Sequence, residues 1–107
     1  MNLQPKYFDF IKNGTKRIEL RLYDEKRSKI QLGDIIEFSK SENDKLNAEV
    51  IGLLRYENFA DLFEDFDISI LADTSMAKQE LLDVLSEFYT PEKQAEHGVL
   101  GIRLRVL

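Results

Sequence analysis

The chain has 107 residues, 43% of them apolar, and 15 Lys and Arg against 20 Asp and Glu give it a net charge of −5. That length suits one domain over residues 1–107, and the apolar share excludes a disordered chain. With no cysteine and a single histidine, His97, the chain cannot hold a disulfide framework, a thiol nucleophile, or a metal on cysteines or a histidine pair. No cofactor and no metal site is expected. No apolar run is long enough for a membrane span and residues 1–10 lack a signal-peptide layout, so a cytoplasmic chain without membrane association is expected.

The first predicted element is a helix from Gln4 to Asn13, with Pro5 at its first position and Leu3, Tyr7, Phe8 and Ile11 at helical spacing. Gly14 ends it. The period then changes to two: from Arg17 to Tyr23 apolar residues alternate with polar ones, which reads as a half-buried strand. A polar loop, Asp24 to Lys29, and a turn at Leu32-Gly33-Asp34 lead to a strand from Ile35 to Ser39. After a hairpin loop at Ser41–Lys45, a strand runs from Leu46 to Tyr56 with a bulge at Gly52.

Asn58 to Phe66 reads as a short helix, with Phe59, Leu62, Phe63 and Phe66 on one face. Thr74 or Ser75 caps the next helix, whose apolar stripe is Ala77, Leu81, Val84, Leu85 and Phe88. That spacing assigns Phe59, Phe63, Phe66 and Phe88 to the core. Thr90-Pro91-Glu92 opens a last helix that stops at Gly98, where His97 suits the helix dipole. A strand from Val99 to Val106 carries Ile102, Leu104 and Val106 on one side and Arg103 and Arg105 on the other. Consecutive strands on short loops predict antiparallel pairing, so the fold class is α+β: a small, curved antiparallel sheet or barrel with flanking helices.

Charge is unevenly spread. Residues 12–29 hold seven bases against three acids, while residues 57–73 hold six acids and no base. The plainer reading is that these segments pair with each other or are solvated. The sharper reading makes the strand after Gly14 a ligand site, because Arg17, Glu19, Arg21 and Tyr23 lie along its polar face and Lys16 sits at the turn that opens it. Arginine grips carboxylates and phosphates through paired bonds, lysine adds a point charge, and glutamate accepts from an amino edge. The plainer alternative for this face is again a solvated one.

Gly14-Thr15-Lys16-Arg17-Ile18-Glu19-Leu20-Arg21 resembles the G-x-K-x-x-E-x-R signature of the ASCH domains, a family with a PUA-like small antiparallel β-barrel and flanking helices. The similarity extends to the approach through Pro5, Phe8, Ile11 and Lys12, to Leu22-Tyr23-Asp24-Glu25-Lys26-Arg27, and to Gly33-Asp34-Ile35-Ile36-Glu37-Phe38. Arg55-Tyr56, Phe59, Leu62-Phe63, Tyr89 and Gly98-Val99-Leu100-Gly101-Ile102 continue it. The resemblance implies a cleft between barrel and helices, lined by Lys16, Glu19 and Arg21 and bordered by Asp24, Lys26 and Arg27, with RNA or a nucleotide-like small molecule as occupant.

Three functions follow. In a binding module, Lys16 and Arg21 meet phosphate or carbonyl groups, Glu19 reads an amino edge, and Tyr23 or Tyr56 stacks on a base. If three to five basic residues touch phosphates, log affinity falls with log salt at a slope of roughly −2 to −3.5. Some relatives are amidohydrolases that deacylate acetylcytidine with a lysine, a threonine and a glutamate. Lys16 and Glu19 would be the catalytic pair here, but Glu19 stands where those enzymes have their threonine, and a carboxylate does not replace a hydroxyl nucleophile. The third function is a protein-interaction domain that docks a partner on the acidic segment 57–73.

Overall fold

The computed structural model describes residues 1–71 and 77–107. Helix α1 (Pro5–Lys12) opens with Pro5 behind an extended Gln4, so the missing proline N–H falls where no helical bond is needed. Gly14, with φ +84°, closes it and donates to Ile11 O. The N–H of Lys16 then returns to Phe10 O at 3.0 Å, seating the next strand against the helix end.

Strand β1 (Ile18–Leu22) is followed by a short 3-10 turn at Arg27–Lys29, then by β2 (Ile35–Ser39) and β3 (Lys45–Tyr56). Helices α2 (Phe59–Asp65), α3 (Ile68–Leu71), α4 (Lys78–Phe88) and α5 (Pro91–His97) precede β4 (Val99–Val106). The four strands form an antiparallel sheet in the order β1-β4-β3-β2. It is the half-barrel of a PUA-like α+β fold with flanking helices. The register of β3 against β4 shifts between Val50 and Gly52, the bulge read from the glycine.

Hairpin pairing holds for β2 with β3 but not for β1 with β2. β1 pairs instead with β4, from the far end of the chain. Residues 23–34 are too many for a tight hairpin, and β4 offers β1 an uncharged run, Val99–Ile102, as a neighbour. Helix α3 was not legible, since four residues are too few for a helical period. The caps read at Thr74 or Ser75 lie outside the described residues; the N-cap of α4 is Ala77, placed on the helix face by the sequence reading.

Two apolar layers hold the sheet. On one side Ile18, Leu20 and Leu22 pack with Phe59, Leu62, Phe63, Leu71 and Leu81 from the helices. On the other, Phe8 and Ile11 of α1 meet Phe38, Ala48, Val50, Ile102 and Leu104. Phe59 and Phe63 are core, as their spacing predicts, and Phe66 is partly buried. Phe88 is not: at the last residue of α4 it is 58% exposed.

Candidate functional site

β1 carries the site. Its burial departs from the half-solvated strand the alternation predicts: Glu19 is 5% exposed and Lys16, just before the strand, 4%. The reason is non-local. β1 is a sheet edge, and the edge lies under the first residues of the chain and the last turns of α4. Between them is a cavity of about 220 Å³ lined by Asn2, Leu3, Gln4, Tyr7, Lys16, Glu19, Leu20, Arg21, Leu81, Val84, Leu85, Phe88 and Tyr89.

The polar side chains of this cavity hold one another. Lys16 Nζ donates to Ile18 O at 2.7 Å and Leu71 O at 2.6 Å, and stands 3.7 Å from Glu19 Oε1. Glu19 Oε1 accepts from Leu20 N at 2.9 Å, and Oε2 accepts from Arg21 Nη2 at 3.2 Å. Arg21 Nη2 also reaches Asn2 O at 3.4 Å, while its buried Nε has no partner among the described residues. The Tyr7 ring lies 5.8 Å from Lys16 Nζ.

Burial lowers the Lys16 pKa; Glu19 works against that shift and Arg21 adds to it. For Arg21 burial opposes the charge, yet Glu19 and the nearby Tyr89 hydroxyl hold its pKa above the ordinary value. The cluster is thus two basic groups about one carboxylate, taken out of water.

The structure brings Lys16, Glu19 and Arg21 together on one wall and sends the other predicted site residues elsewhere. Tyr23 lies past the end of β1, where its N–H donates to Gly98 O and its ring is covered by the Arg55 guanidinium, 3.8 Å from the centroid. Asp24 caps the turn through Arg27 N at 2.9 Å and pairs with the Arg27 guanidinium at 3.2 Å. Burial works to raise the Asp24 carboxyl pKa, but these bonds lower it overall. Tyr56 lines a separate open groove between α2, α4 and α5, and its hydroxyl donates to Asp65 at 2.5 Å. Lys26 is exposed, near enough to the Met1 amine for its charge to lower that group's pKa, after burial and Arg21.

Among the described residues no ion pair joins segment 12–29 to segment 57–73; the basic segment pairs within itself. Nor do they include a cluster of three or more metal-ligating acids or histidines, or a helix long and apolar enough to cross a membrane. The residues missed by sequence reasoning are those of the opposite wall. Leu81, Val84, Leu85 and Phe88 were visible as a helical stripe, but a stripe does not say where the core ends and a cavity begins. Tyr89 both lines the cavity and packs on Phe59, with ring centroids 5.8 Å apart.

A four-stranded antiparallel half-barrel with flanking helices has the architecture of a PUA-like domain. Residues 1–106 match the ASCH domain family, and the chain belongs to it. Two solved structures are similar along the whole chain. The crystal structure of a hypothetical protein is 36% identical, with a TM-score of 0.90, covering 100% of this chain and 96% of that one. The solution NMR structure of a Pyrococcus furiosus protein is 33% identical, with a TM-score of 0.81 and coverage of 100% and 94%. No curated protein matches the chain.

Proposed function

We propose that this domain binds RNA or a nucleotide-like ligand, seating one nucleoside-sized group in the cavity beside Lys16, Glu19 and Arg21. The observation that carries the reading is the desolvated cluster of two bases and one acid on the wall of an otherwise mostly apolar cavity. Buried charge is costly to build, and its presence beside open space favours a ligand site. The volume, about 220 Å³, is below the roughly 300–1,000 Å³ of drug-sized sites, which favours a single base or nucleoside over a stretch of strand.

An amide-resolved NMR titration with nucleosides and nucleotides, acetylcytidine included, tests it. Shifts are expected at residues 16–21 and 81–89. If no member of the panel moves those amides, while longer RNA or a basic protein partner moves others, the cavity is not the binding site.

The lowered Lys16 pKa favours a second reading, an amidohydrolase for an acylated nucleoside, because a lysine whose pKa lies below its ordinary value keeps more of the uncharged amine a general base needs. Acetate released from acetylcytidine in the same tube, and lost in Lys16→Ala, would support it. Binding without acetate leaves the binding module.

A further inference from the structure

We infer that Phe88 is a stacking platform at the mouth of the cavity, so that the ligand is a short single strand: one base enters the cavity and the next lies on the Phe88 ring. This rests on the nucleotide-like reading of the cavity and adds a second subsite to it.

The charged wall is already committed. Lys16 is bonded to Ile18 O and Leu71 O, and Glu19 accepts from Leu20 N and from Arg21. Arg21 is held in turn by Glu19, Asn2 O and the Tyr89 side chain. Across from it the surface is apolar and comes from α4, where Leu81, Val84, Leu85 and Phe88 recur at helical spacing and all line the cavity. Burial falls along this stripe. Leu81 is 3% exposed, Val84 and Leu85 are half-buried, and Phe88 is exposed. The stripe begins in the core and ends in water on an aromatic ring.

Phe88 differs in this from the other phenylalanines. Phe8, Phe38, Phe59 and Phe63 are buried, and Phe10 and Phe66 are partly so. An isolated apolar side chain on a surface is ordinary. Phe88 is not isolated: it continues the apolar wall of a cavity to the mouth, where a chain leaving the cavity must pass. The cavity, at about 220 Å³, has room for one base, so a second base of the same strand lies outside it. A phenyl ring there gives that base a face to stack on, and every base has a π-face to offer in return.

The charge beside the cavity suits the linking phosphate. Lys6 is exposed on α1, with Nζ 5.9 Å from the centre of the Tyr7 ring, which lines the cavity. Lys6 has no ion pair among the described residues, and a lysine ammonium serves as a point charge for a phosphate.

The test uses adenylyl-adenosine and cytidylyl-cytidine, each against a counterpart that keeps the phosphate and both sugars but lacks one base. Affinities come from NMR titration of the cavity amides, and the Phe88 ring protons are followed in the same spectra. In whichever series binds, the complete dinucleotide should bind about tenfold more tightly than its one-base counterpart, as one base–aromatic stack provides, and it alone should shift the Phe88 ring. In Phe88→Ala that advantage should disappear while the one-base compounds bind as before, and Phe88→Trp should keep it. Phe88 is exposed at the end of its helix, so these variants leave the core intact. Equal affinity within a pair, or an advantage that survives Phe88→Ala, overturns the inference and leaves the one-base reading standing. A loss in Phe88→Ala shared equally by both members of a pair also overturns it, since the ring then belongs to the one-base subsite. If no compound shifts any cavity amide, both readings fall.

Discussion

Lys16 shows what the site asks of a single side chain. Its ammonium lies among Ile18 O, Leu71 O, the Glu19 carboxylate, the Arg21 guanidinium and the Tyr7 ring. Burial sets its folded pKa below the 10.5 of a free lysine, so in the window between those two values the native state binds fewer protons than the unfolded one. Stability contributed by this group therefore rises with pH through that window. Urea melts of the protein and of Lys16→Met across the alkaline range should show the difference, native minus variant, climbing towards pH 10.5. A flat difference would mean that folding leaves the amine's pKa unchanged, and a falling one that folding raises it. Glu19→Gln tests the other half of the cluster. It leaves Lys16 and Arg21 with no counter-charge, and removing one partner of a buried pair costs roughly 3–5 kcal/mol. A loss under about 1 kcal/mol, the range of exposed pairs, would show that the cluster is solvated in solution.

Between elements, the close contact is where α2 meets the sheet. Gly101 of β4 sits under Ile18 and Leu62, and a Cβ there would lie 3.1 Å from Ile18 Cγ2 and 3.1 Å from Leu62 Cδ1. Both neighbours are fully buried and have little room to yield. Gly101→Ala should therefore cost about 1–3 kcal/mol as overpacking, seen as a drop of several degrees in Tm. An unchanged Tm would show that α2 rides more loosely on the sheet than its packing implies. This contact also marks where sequence reading stops. The alternation in β1 was plain and the strand is there, but period two says only that side chains alternate. What covers the polar side depends on β4 and α4, about 80 and 60 residues further along the chain. Tyr23 fails for a related reason: the parity linking it to Arg21 holds only inside the strand, and β1 ends at Leu22. Lys16, Glu19 and Arg21 were legible because they are close in sequence; their opposite wall was legible only as a stripe with no address.

At the scale of the whole molecule, charge sets how the domain would meet a polyanion. The net charge is −5, and three of the seven bases in the basic segment are already paired. Lys16 and Arg21 are held by Glu19, and Arg27 by Asp24. The exposed bases of the segment, Lys12, Arg17, Lys26 and Lys29, lie on separate stretches of loop and helix end. Three to five phosphate contacts, as the composition alone allows, require those side chains to converge along one strand of RNA. On the proposed reading, one base sits in the cavity and only one or two phosphates meet basic side chains at its rim. Each phosphate neutralised on a single strand contributes about −0.7 to the slope of log affinity against log salt. A single-stranded oligonucleotide should therefore show a slope no steeper than about −1.5, and a neutral nucleoside a slope near zero. Fluorescence anisotropy from 50 to about 300 mM salt covers a range in which such slopes separate clearly. A slope of roughly −3 or steeper for the oligonucleotide would mean that the exposed lysines do gather on the backbone, and that affinity comes from phosphates rather than from the cavity.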